Sequence, residues 1–345
     1  MSDSRNVPSA DDLFDAAVQA VLQSQDARVS RLQRDLHLDY GAATTLVDRL
    51  KMSGVLLPDW PGRESDLHPD YQNVRLRGVC ADEANVYTRR VANLAIFYWE
   101  MAEQDNNAHS DLVKMMLPSK MPASLWGEVQ DFFRRGCCGA RAMTMTDAAL
   151  EFHAWALERG LAPTQHFDFA AAIRAVCLPY ERPFVRLTDP TVMLERAYVR
   201  LARFFLQAAT DDLQVHSRIS AFFIQNNQIP QSVKSPGCDH GEHVVPCAVQ
   251  REIACEMFRE GHSVYNVAQL LKKLHVLIWV DGAAQKVLDS GPGHLKFRMP
   301  AGWRPESGCI YARLHAKQIP FEPPPSNPCI CGTLVHLNQA SLACS

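Results

Sequence analysis

Residues 12–58, DLFDAAVQAVLQSQDARVSRLQRDLHLDYGAATTLVDRLKMSGVLLP, hold three short runs of helical periodicity followed by a short apolar run. Asp11 and Asp12 can cap a first helix, in which Leu13, Phe14, Ala17, Val18, Val21 and Leu22 recur at three- and four-residue spacing. A turn over 24–28 leads to Ser30-x-x-Gln33, a capping box that predicts a second helix with Leu32 and Leu36 inside. Asp39 opens a third helix whose buried face is Leu46, Val47 and Leu50, and Gly54 stops it. The run 55–57 and the Pro/Gly/Asp-rich 58–63 predict a strand and a turn. Three helices, a strand and a turn follow the winged-helix plan, here over 11–63.

The same 47 residues resemble the gamma domain of the FtsK family of DNA translocases, without a gap. The likeness rests on Phe14, Asp15, Ala17 and Val18 at the opening, and on Ser30, Gln33 and Arg34 at the second cap. Leu36, Tyr40, Gly54 and Val55 also fit. That domain is a winged helix that reads short sequences on duplex DNA, so the resemblance implies double-stranded DNA as partner and helix three as the recognition helix. Tyr40, Thr44, Thr45, Asp48 and Arg49 are then the groove-facing candidates. Arg28, Arg31, Arg34, Lys51 and Arg63 are the phosphate candidates. Two departures bound the likeness. No GxxxxGK[ST] pattern occurs, which excludes a translocase motor. The family's base-reading Asn and two Arg are here Gly41, Ala42 and Thr45.

The whole chain has 345 residues, 47% apolar and 21% charged, which excludes wholesale disorder and a fibrous repeat. With 35 basic against 38 acidic residues it is not a histone-like polycation, so any contact with nucleic acid must be local. No apolar run approaches the roughly 20 residues of a membrane span. The first 15 residues are polar and acidic, unlike a secretory leader, and the expected location is cytoplasmic. Residues 63–73 predict a linker and 78–228 a helical domain of unassigned role. Ile96, Phe97, Tyr98 and Trp99 are expected in its core.

Seven of the 11 cysteines fall at or beyond Cys238, which points to metal rather than disulfides. Cys238-Asp-His240-Gly-Glu-His243-Val-Val-Pro-Cys247 offers thiolate and imidazole ligands, with Cys329, Cys331 and His336 as completing ligands, and their softness suits zinc. Glu242-His243-Val-Val-Pro246 also resembles the core of HNH nucleases, a ββα-metal fold. That resemblance implies His243 as general base and Glu242 or His240 as ligand of a single divalent ion, Mg or Mn. The usual downstream Asn and closing Cys-x-x-Cys-His are absent.

The expected protein is mainly α. An N-terminal winged helix (11–63) and a helical domain (78–228) precede a small α+β, zinc-holding HNH-like module (235–320) and a Pro/Cys-containing tail (321–345). It is expected to bind duplex DNA as a phage- or plasmid-type protein, and as a homo-oligomer, because one small interface binds weakly at physiological salt. The alternatives are a metal-dependent HNH-type endonuclease and an adaptor or inhibitor working through protein contacts.

Overall fold

A computed structural model describes residues 10–57, 67–74, 76, 82–104, 116, 122–138, 143–163, 167–211, 213, 215, 219–290 and 293–329. The described chain is mainly helical, with one two-stranded sheet.

Helices α1 (Ala10–Ser24), α2 (Val29–Leu36) and α3 (Tyr40–Met52) enclose a core of their own. Ala17, Val18, Val21 and Leu22 meet Leu32 and the stripe Ala43, Leu46, Val47 and Leu50, while Val55, Leu56 and Leu67 close the bottom. The Asp39 carboxylate accepts from the Ala42 amide at 2.8 Å and starts α3. Gly54, at φ 79°, takes the left-handed conformation just beyond the end of α3.

Two local expectations are corrected. The Ser30–Gln33 capping box does not form, because α2 begins at Val29 and Ser30 is already inside it. The turn before α2 is held by Asp26 instead, which accepts from the Arg28 amide at 3.0 Å and pairs with its guanidinium at 2.6 Å. The expected strand at 55–57 amounts to one antiparallel bridge, Leu56 to Leu67, and residues 58–66 lie outside the described chain.

The central core is built on α4 (Glu83–Ala102), buried on nearly every side after Val91. Ile96, Phe97, Tyr98 and Trp99 are all buried, as expected. Around α4 pack α5 (Trp126–Cys138), α6 (Met145–Glu158) and α7 (Phe169–Cys177), with α8 (Pro190–Asp211) and α9 (Ser220–Phe223) completing the layer. Strand β1 (His240–His243) then leads directly into α10 (Cys247–Glu260) and α11 (Val264–Leu274). Both helices lie on α8 and bring Ala254, Phe258, Val267, Ala268 and Leu271 into the central core. The expected boundary at 228–235 therefore does not separate two cores.

Strand β2 (Leu277–Val280) pairs antiparallel with β1, His243 opposite Leu277 and His240 opposite Val280. With α12 (Gly282–Asp289) and α13 (Ala312–Ala316) it covers a third core of Val244, Val245, Val276, Ile278, Leu288, Tyr311, Leu314 and Ile319.

A buried ionic network joins these parts. The Arg203 guanidinium on α8 bonds Asp70 at 2.6 and 3.0 Å and Glu100 on α4 at 3.0 Å. Tyr180 donates to the same Asp70 at 3.2 Å and lies 4.4 Å beneath the guanidinium. Arg182 and Arg196 reach Glu103 at 2.5 and 3.2 Å. Nearby, Tyr71 stacks on Tyr265 of α11 at 4.8 Å, and Asn73 donates to Gln25 at 2.9 Å. The N-terminal unit is thus fixed to the central core through residues 67–73.

Burial alone would raise the Glu100 carboxyl, but the charges of Arg203, Arg182 and Arg200 and the Arg203 hydrogen bond outweigh it and hold the group at about 2. A depressed carboxyl contributes stability above its unfolded value of about 4.3 and loses it as pH falls toward 2. Denaturant midpoints are expected to drop between pH 4.5 and pH 2.5. At neutral pH, Asp70→Ala leaves Arg203 under-compensated in the interior and should cost about 3 kcal/mol or more in chemical denaturation.

Candidate nucleic-acid interface and metal centre

One side of α3 faces solvent because the opposite stripe is consumed by the core. Tyr40 (68% exposed), Thr45, Asp48 and Met52 (82% exposed) follow one another along that side. The Thr45 hydroxyl donates to the Gly41 carbonyl at 3.0 Å, and that of half-buried Thr44 to the Tyr40 carbonyl at 2.8 Å. Both hydroxyls therefore offer a groove their acceptor lone pairs first.

The basic candidates separate into different roles. Arg49 turns back onto α1: it donates to the Ala10 carbonyl at 2.6 Å, pairs with Asp11 at 2.5 Å and lies 4.4 Å over the Phe14 ring. It fastens α3 to α1, so its guanidinium is engaged within the three-helix unit. Arg31 pairs with Asp35 at 2.7 Å, one helical turn on. Arg34 is exposed and makes no ion pair among the described residues. Lys51 is half-buried in the last turn of α3, and Arg63 lies outside the described residues. Residues 10–57 contain five basic and seven acidic side chains, so this unit has a weak electrostatic footprint.

The expected ligand set of Cys238, His240, His243 and Cys247 does not converge among the described residues. Strand geometry sends successive side chains to opposite faces, and α10 carries Cys247 away at once. Cys247 is beside the Ser220 hydroxyl at 3.6 Å, and burial pushes its thiol up. His243 stacks on His275 at 4.9 Å, and His275 also meets the Tyr198 hydroxyl at 3.3 Å. Burial lowers both imidazoles below their ordinary value, and the Nδ1 of His243 is shut off from solvent. His240 contacts Glu242 at 3.2 Å, and Glu242 pairs with the buried Arg313. The ββα plan implied by the nuclease-like motif is also absent from the described chain. A helix follows β1 directly, and its strand partner lies beyond α10 and α11. His243 is therefore not presented as a general base, nor Glu242 as a free ligand.

A different group does converge. Cys309, His315 and Cys329 place one ligand atom each within 4.8 Å of one another. The two Sγ atoms are 3.7 Å apart, and His315 Nε2 is 3.3 Å from Cys329 Sγ. Two thiolates at about 2.3 Å from a tetrahedral ion lie about 3.8 Å apart, so the sulfur pair already has the edge length of such a site.

Local structure holds the three in place. Gly308 lets the chain fold tightly ahead of Cys309, since a Cβ there would sit 2.5 Å from the Arg304 carbonyl and 2.6 Å from the Trp303 ring. Trp303 donates to the Cys309 carbonyl at 2.8 Å. His315 rides on α13 against the edge of Phe321, and Tyr311 donates to the Asn327 carbonyl at 2.5 Å, drawing the segment that bears Cys329 back. Of the ligands expected from sequence, only Cys329 belongs to this group, and Cys331 and His336 lie outside the described residues. Cys309 and His315 were not among the expected ligands. The signal for them was the late concentration of cysteine, which the shorter spacing around Cys238 overshadowed.

The division of roles among the arginines can be checked in the intact chain. Arg49→Ala should lower stability by roughly 1 kcal/mol, since it removes both an exposed ion pair and the cation–ring stacking on Phe14. Arg34→Ala should change it by less than about 0.5 kcal/mol. Urea denaturation of both variants measures the contrast.

Comparison with protein-family models matches residues 8–59 to the FtsK gamma domain. Comparisons with curated proteins and with solved structures give no match. The N-terminal unit is thus similar to an FtsK gamma domain.

Proposed function

We propose that this protein binds double-stranded DNA through the outer side of α3, and that zinc at Cys309, His315 and Cys329 fastens its C-terminal segment. The observation that carries the DNA half is the FtsK gamma match over 8–59, on a three-helix unit whose third helix leaves Tyr40, Thr45, Asp48 and Met52 open to solvent. Gly41, Ala42 and Thr45 offer no guanidinium or amide for bidentate base contacts, so discrimination between sequences is weak and affinity comes mostly from phosphates. Pairing of two copies would multiply that weak affinity, as expected of a homo-oligomer.

The zinc half rests on the donor set. Two thiolates and an imidazole are soft to borderline ligands, which favour zinc over magnesium or calcium. The ion would hold α13 to the end of the described chain and add binding free energy to folding. A fourth ligand would complete a closed, structural site.

A specific observation favours a second reading as well. The acidic balance of 10–57 and the internal use of Arg49 suit a three-helix unit that docks on a protein. Fluorescence anisotropy with a labelled duplex at low salt separates the two. Binding that Thr45→Glu weakens at least tenfold supports the DNA reading, because the added carboxylate repels phosphate. No binding of any duplex at low salt leaves the protein-contact reading. For the metal, protein purified without chelator should carry zinc by mass spectrometry, and Cys309→Ser and Cys329→Ser should lose it with a lowered melting temperature. A Cys309–Cys329 disulfide with no metal bound would sink the zinc assignment.

A further inference from the structure

The charge of this chain is unevenly distributed. Residues 282–317 contain six Lys or Arg against two Asp or Glu, whereas residues 10–57 are acidic on balance. Four of the six cations, Lys286, Lys296, Arg298 and Arg304, are exposed, together with His294 and the ring of Phe297, which is 55% exposed.

These side chains stand on a fixed base. Leu295, between His294 and Lys296, is buried, and its amide donates to the Leu288 carbonyl at 2.8 Å, which brings this turn against the end of α12. The Arg313 guanidinium, fully buried beneath them, donates to the Leu295 carbonyl at 3.0 Å and is itself held by Glu242 and by the His243 carbonyl at 2.7 Å. One interior arginine thus locks the backbone of the segment to β1 while its neighbours point outward. Arg298 Nε donates to the His294 carbonyl at 2.8 Å, which tightens the turn and leaves its other nitrogens available to a ligand. The Lys296 ammonium lies 5.5 Å from the Phe297 ring centre and 3.3 Å from Asp289. That carboxylate is the only acidic partner of the exposed cations among the described residues.

We infer that Lys286, Lys296 and Arg298 form a second contact surface, for the phosphate backbone of duplex DNA. The inference rests on the DNA reading above and supplies what the N-terminal unit lacks. Phosphate neutralisation needs exposed, pre-positioned cations, and this surface has them, with Asp289 as the one carboxylate paired to them among the described residues. It reads no sequence: apart from Lys286 on the short α12, these cations stand on turns that present no helix to a groove.

The test is a salt series of duplex binding by anisotropy, on the full chain and on the double variant Lys296→Gln, Arg298→Gln. Both residues are exposed, so the variant should keep the parent's circular dichroism and melting temperature to within a few degrees. Loss of two phosphate contacts should lower the slope of log K against log salt by about 2 and weaken binding equally on unrelated duplexes. An unchanged slope and affinity would overturn the proposal while leaving the DNA reading intact. Failure of the unmodified protein to bind any duplex would overturn both. Loss on the double variant with no effect of Thr45→Glu would keep this surface and remove α3 from the contact.

Discussion

One buried guanidinium ties the segment after α3 to the central core. Arg203 sits buried on α8, and it is tolerable there because Asp70 and Glu100 neutralise it from two sides while Tyr180 covers its face. Each of those partners comes from a different stretch of chain: the segment after α3, the central helix α4 and the loop before α8. Satisfying one charge therefore assembles three segments, and a geometry that left any of them out would strand an ion in the interior. The Tyr71–Tyr265 stack and the Gln25 bonds to the 71–73 backbone add packing to a junction whose alignment the ions already specify.

The helices were legible in the sequence because their signals are local. Asp39 and Gly54 bracket α3, Pro190 opens α8, and Gly160 and Gly261 follow the ends of α6 and α10 in the left-handed conformation. The aromatic run at 96–99 was legible as core for the same reason. The Arg203 network was not, since Asp70 lies 133 residues away and reads in isolation as a polar residue in a linker. The second cap failed because α2 begins at Val29, behind a turn held by Asp26, which leaves Ser30 inside the helix it was expected to cap.

The metal centre shows how short spacing misleads. Four candidate ligands within ten residues of Cys238 looked like a site, yet strand alternation and the immediate start of α10 disperse them. Cys309, His315 and Cys329 are spread over 21 residues, and they meet because Gly308 permits a tight turn, α13 carries His315 on a single helical turn and Tyr311 draws the returning chain inward. His243 and Glu242, which carried the nuclease-like motif, instead serve the interior. One stacks on His275 and the other neutralises Arg313.

The rigid attachment of the N-terminal unit has a consequence for how such a protein would search DNA. A reading head on a loose tether samples orientations independently of its body and must give up that freedom on docking. Here the packing of Tyr71 on α11 and the grip of Arg203 on Asp70 have already spent it. Such a head would arrive aligned with the body, with no tether freedom left to lose. In an assembly of several copies, the distance between neighbouring heads would be set by the dimensions of the central helical core rather than by linker length.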